Sequence, residues 1–196
     1  MSSDASVEGD AAAPGHYSAA QRRIVLAAFE LFAQHGVSGT SLQMIADEIG
    51  VTKAAVYHQF KSKDDIVLAV AETEMARIEA AIAVAEEQQD NTRAREVLLA
   101  RVIDVAVERR RQYRVMQDDP YMGRFLAEQQ PFQQLMERLF TILAGAQASG
   151  DMRVQTAMCY AAIGSAAAHP LVVDLDDETL RIHLTRFART LFRLPD

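Results

Sequence analysis

Cysteine is nearly absent from this chain of 196 residues, and its single example, Cys159, has no internal partner for a disulfide. That excludes a small disulfide-stapled scaffold and fits a reducing cytoplasm. The first sixteen residues lack any lysine or arginine and any apolar run, so no secretion signal is visible. Residues 157–173 are apolar, but Ser165, His169 and Pro170 interrupt them and they fall short of a membrane span. Glycine-rich phosphate loops are missing, and none of the five histidines pairs at the spacing of a helical zinc site. Cys159 sits in an apolar helical context that suits an inert thiol. These gaps argue against an enzyme, a metal and a cofactor. Alternating apolar and polar runs are also lacking, so no sheet is expected.

What is present is helical periodicity almost throughout, and its densest signals fall in residues 40–63. Thr40 and Gln43 have capping-box spacing, which predicts a short helix beginning there. Leu42, Ile45, Ala46 and Ile49 give it one apolar face, Gly50 ends it, and Thr52 caps a second helix almost at once. Two short helices joined so tightly must cross steeply, the geometry of a helix-turn-helix whose second helix enters a DNA groove. Val56 and Phe60 should hold that helix inward, while Ser62 and Asp65 repeat the capping logic for the next one. The formal charge of −7 opposes a general nucleic-acid coat. Locally the balance reverses: residues 21–63 carry five basic and three acidic side chains, and residues 50–63 three lysines and no carboxylate. A protein that touches DNA with one surface needs only that surface to be basic.

Thr40-Ser41, Ile45-Ala46, Gly50-Val51-Thr52, Val56-Tyr57-His58, Phe60, Ser62-Lys63-Asp64 and Ile66 together resemble the tetracycline-repressor (TetR) family of bacterial transcriptional regulators. Residues 24–36 also resemble that family's first helix, so the likeness runs over residues 20–70. Two positions depart from the pattern: Ala54 where glycine is usual, and Gln59 where a second histidine is usual. The resemblance implies that Thr40 and Ser41 contact phosphate, that Tyr57, His58 and Lys63 clamp the DNA backbone, and that Thr52, Lys53 and Ala55 face base edges. Hydroxyls and helix N-termini suit phosphates, lysine reaches guanine, and alanine can touch a thymine methyl. Capping alone would also explain Thr40 and Thr52, and Tyr57 could be half-buried core.

The expected fold is all-α: a tail at residues 1–17, read as disordered, a helix-turn-helix head at 18–63, and a helical bundle at 64–196. Helices are expected near residues 63–89, 92–114, 121–129, 131–148, 153–169 and 178–193, with a turn at Gly150-Asp151. The resemblance implies a pocket in the body for a small, largely hydrophobic effector. Met75, Ile78, Arg101, Val105, Met116, Tyr121, Phe125, Met136, Phe140 and Met158 are candidate lining residues, although such side chains more often fill core. Met122, Phe132 and Tyr160 share their character, and Arg101, Asp104, Tyr113 or His169 could supply a polar anchor. The resemblance further implies a homodimer through the last two helices, with Ile163, Gly164, Ala167, Leu180, Leu184, Phe187 and Leu191 as candidate interface. Its partners would be a palindromic double-stranded operator and the effector, with no membrane. The alternative is a ligand-binding or protein-interaction bundle whose head is impaired in DNA reading.

Overall fold

The computed structural model describes residues 17–112, 119–192 and 194. Among them the secondary structure is helical: α1 (Ala19–Gly39), α2 (Leu42–Glu48), α3 (Lys53–Gln59), α4 (Lys63–Glu86), α5 (Asn91–Glu108), α6 (Pro120–Glu128), α7 (Gln130–Ala144), α8 (Gly150–Ala168) and α9 (Asp177–Phe192), with one 3-10 turn at Pro170–Val172. None of these helices is long and apolar enough to cross a membrane. Residues 1–16, the Tyr113 anchor and the Met116 pocket candidate lie outside the described residues.

Two hydrophobic cores result, and α4 contributes to both. Ile24, Phe29, Phe32, Val37, Ile45, Val56 and Phe60 gather in the head core, to which α4 lends Ile66, Val67 and Val70. Further along, Ile82 and Ala85 of α4 join Leu98, Ile103, Leu139, Leu143, Ile163, Leu180 and Leu184 in the body core. Helix α5 is the centre of the body, because α4, α7, α8 and α9 all pack on it.

Several helix ends differ from the sequence expectation. The cap of α2 is Ser41, which accepts from the Met44 N–H at 3.2 Å, and not Thr40. Thr40 instead terminates α1, where it is 2% exposed and its hydroxyl faces the Gly36 carbonyl at 2.8 Å and the Leu31 carbonyl at 3.2 Å. The turn expected at Gly150-Asp151 belongs to helix: Ser149 caps α8, and the chain turns one segment earlier, after Gly145 at φ 94°. Asp119-Pro120 starts a helix. Asp119 caps α6 and proline fills the first helical position, where its missing N–H costs nothing. Tyr17, assigned to the tail by sequence, is anchored: its hydroxyl donates to Glu72, its ring lies 6.2 Å from that of Phe60, and Arg22 donates to its carbonyl at 2.6 Å. Burial, followed by the Glu72 contact, raises its phenol above the usual range.

Candidate nucleic-acid interface

The α2–α3 connection has a built C-cap. Gly50 takes φ 68°, its N–H reaches the Asp47 carbonyl at 3.2 Å, and the Val51 N–H reaches the Ala46 carbonyl at 2.9 Å. This pair of hydrogen bonds closes α2 and needs a left-handed residue at its hinge. Thr52 then opens α3 by accepting from the Ala55 N–H at 3.2 Å, and Val56, fully buried, fastens α3 to the head core. Two longer bonds fix the pair from outside: Arg23 donates to the Ile49 carbonyl at 3.1 Å and Gln21 to the Gln59 carbonyl at 3.4 Å. Both donors on α1 bind carbonyls at helix C-termini, which carry partial negative charge. Sequence reasoning passed over Arg23 and Gln21, because such clamps join residues far apart in the chain.

With Val56 inward, Thr52, Lys53, Ala54, Ala55, Tyr57 and His58 are exposed, and Ser41 lies exposed at the start of α2. Tyr57 is 44% exposed, which sets aside the reading of it as core. The Lys53 ammonium stands 5.7 Å from its ring centroid, one turn apart on the same face. His58 Nδ1 lies 3.2 Å from Gln59 Nε2. Lys63 is half-buried and donates to the Thr40 carbonyl at 3.0 Å, at the junction where α1 ends and α2 begins. The expected phosphate contact through Thr40 is corrected: its hydroxyl is buried and bonded to carbonyls of α1, leaving Ser41 as the exposed hydroxyl at that site.

Residues 24–70 match the family model described as bacterial regulatory proteins, tetR family. Over those residues the chain carries a TetR-type head. Within this family's curated members, the HTH-type regulator AcrR of Shigella flexneri is 48% identical over 46 residues, which are 24% of this chain and 21% of that protein. The HTH-type repressor AcnR of Corynebacterium diphtheriae is 29% identical over 63 residues, 32% of this chain and 33% of that protein. The chain therefore matches about a fifth to a third of the length of these relatives. A TetR-like fold extends well beyond that head. A bacterial regulatory protein of the tetR family from Rhodococcus RHA1 superposes with a TM-score of 0.69 at 21% identity, covering 91% of this chain and 97% of that one. PfmR of Thermus thermophilus gives 0.65 at 19% identity, covering 89% and 99%.

Behind the TetR-type head, α6 docks on the head rather than on the body. Tyr121, Met122, Phe125 and Leu126 pack against the head core, and Tyr121 stacks on Phe125 at 5.8 Å. The expectation that Tyr121 and Phe125 line a pocket in the body is thereby corrected. One Asp119 carboxylate oxygen accepts the Val37 and Ser38 N–H groups at 2.7 and 3.2 Å, where α1 breaks at Gly36 (φ 72°), and the other accepts the Tyr121 N–H at 2.9 Å. Burial pushes the Asp119 carboxyl up, but the N–H groups of Ser38, Tyr121, Val37 and Met122 outweigh it and hold the group below the usual carboxylate range. The Tyr121 hydroxyl donates to Asp64 in the first turn of α4 at 2.5 Å; burial, and then that carboxylate, push the phenol up to about 12. Beside this junction, Arg109 at the end of α5 lies 3.2 Å from Glu74 of α4 and 5.1 Å from the Phe29 ring of α1. Burial raises the Glu74 carboxyl despite Arg109 and Arg77 nearby.

Other body candidates separate by environment. Met75 and Ile78 are partly buried against the body core, and Val105 is buried. Phe140 lies edge-on to Tyr160 at 5.4 Å, and the Tyr160 hydroxyl has the Met136 sulfur at 3.8 Å. Met158 faces outward at 67% exposure and lines no interior. Three anchor candidates have partners: Arg101 lies near Asp104 and Glu108, Asp104 binds Arg181 at 2.8 Å, and His169 accepts the Leu171 N–H. The interface set also divides. Ile163, Ala167, Leu180 and Leu184 are buried in the monomer's own core and Gly164 is half-buried, whereas Phe187 and Leu191 are exposed. The inward stripe of α9 runs Leu180, Leu184, Ala188, Phe192.

Proposed function

We propose that this protein is a homodimeric DNA-binding transcriptional regulator, a repressor released from a palindromic operator by a small, largely hydrophobic effector. The observation that carries the reading is the outer face of α3, where Thr52, Lys53, Ala55, Tyr57 and His58 are exposed while Val56 locks the helix from behind. Lys53 and Ala55 read base edges; Ser41, Tyr57, His58 and Lys63 hold phosphates. A second copy meets the exposed apolar side of α8 and α9. Val154 and Met158 are exposed on α8, Phe187 and Leu191 on α9, and Gln155 donates to the Leu191 carbonyl, which draws the two helices together there. Two-fold symmetry of the protein then demands two-fold symmetry of the site.

The test is fluorescence anisotropy of the purified chain with its own upstream intergenic DNA and with a scrambled duplex, across a salt series. Selective binding that weakens with salt is the expected result. Equal weak binding to both duplexes, repeated with sites enriched from random DNA, would refute sequence-specific regulation.

A further inference from the structure

Helices α7 and α8 border a groove of about 810 Å³ lined by Phe140, Thr141, Ala144, Val154, Thr156 and Ala157 among others, a size suited to a small molecule. Thr156 is 1% exposed, and its hydroxyl oxygen has no hydrogen-bond partner among the described residues. One turn along the same helix, Tyr160 is half-buried and its hydroxyl is met by a thioether, a weak acceptor. A buried hydroxyl lacking a partner, as at Thr156, carries a desolvation cost that a bound oxygen would relieve. The lining is mostly alanine, with Val154, Phe140 and two threonines, and its charged members Glu137 and Arg153 are one of each sign, which favours an uncharged guest.

From this we infer that the α7–α8 groove is the effector site, and that it takes a compact, uncharged, mainly apolar molecule bearing one hydroxyl or carbonyl oxygen. The oxygen bonds the Thr156 hydroxyl, which has no other partner in the groove lining. The role as effector site rests on the regulator reading; the binding chemistry does not. Val154 belongs both to the groove and to the exposed α8–α9 face, so a guest here would act beside the contact between copies.

The experiment is calorimetric titration of the full chain with 4-propylphenol and with propylbenzene, which differ by one hydroxyl. The phenol should bind about threefold to tenfold more tightly, the range of one neutral hydrogen bond. Thr156→Val, which replaces an unpartnered hydroxyl by a methyl and should fold normally, should erase that difference. Ala157→Trp, at an exposed position, should block both compounds. No binding at millimolar concentration, equal affinity for the pair, a preference that survives in Thr156→Val, or unchanged binding in Ala157→Trp would each overturn the site. The assay contains no DNA, so failure to find an operator leaves it intact. Phenol binding without operator release would remove only the effector role.

Discussion

Single residues in the head do separable work. Gly50 and Gly36 both take positive φ, but a Cβ at Gly50 meets nothing within 4 Å, whereas one at Gly36 would stand 3.1 Å from Asp119 Oδ2. Gly50→Ala should therefore cost only the left-handed penalty, about 1 kcal/mol. Gly36→Ala should cost more, because it also disturbs the Asp119 bonds; urea melts of the two variants would give the order. Asp119 itself has a pH signature. Its folded-state pKa is depressed, so its stabilisation is complete above the ordinary carboxylate value of 3.8 and fades as pH falls through the lower folded value. Asp119→Ala should be less stable at neutral pH by about 0.5–2 kcal/mol, the range of a helix cap. The gap to wild type should narrow below pH 3.8, and parallel stability curves down to pH 2 would rule this out. On α3, Lys53→Ala should weaken specific more than non-specific DNA binding, by about 1–3 kcal/mol if it reads a guanine. Unchanged discrimination between operator and scrambled duplex would take Lys53 out of base reading.

At the level of elements, legibility followed the range of the physics involved. Helices α3 and α4 were readable because their caps are local: Thr52 with Ala55, and Ser62 with Asp65 in a full capping box. The α2 cap was misplaced by one residue, since Thr40 and Ser41 offer competing caps and only tertiary burial of Thr40 decides between them. The exposure of Lys53, Ala55, Tyr57 and His58 on α3, the positions proposed to meet DNA, followed from the inward Val56. The body was less legible, because its helices are apolar on more than one side. On α9 the steps Leu184 to Phe187 and Leu184 to Ala188 are both helical spacings, so the pattern alone does not say which interface candidates the monomer buries. Alanine goes inward because α9 packs closely on α5 and α8, and Phe187 is left at 58% exposure. Likewise nothing local announces that α6 belongs to the head, for its anchors reach Val37, Ser38 and Asp64 across at least 57 residues.

For the whole molecule, those exposed side chains set the final expectation. On the proposed reading, an acidic chain of net charge −7 binds DNA against its own average field, so a single small basic head has little affinity to spare. Joining two heads through the body converts the second binding event into an intramolecular one, which can raise affinity by about 10²–10⁴ without a new contact. Met158 and Phe187 are the most exposed large apolar groups on α8 and α9, and neither belongs to the body core, so charging them should spare the monomer fold. The double variant Met158→Glu, Phe187→Glu should sediment as a monomer of 21.7 kDa with unchanged helical circular dichroism. It should also lose operator affinity by a hundredfold or more, on the order of that avidity factor, and bind with a shallower salt dependence, because one head neutralises about half as many phosphates. A variant that remains dimeric would place the contact between copies on another surface. A monomer that kept full affinity and the full salt slope would show that one head is sufficient and that the second contributes nothing to operator binding.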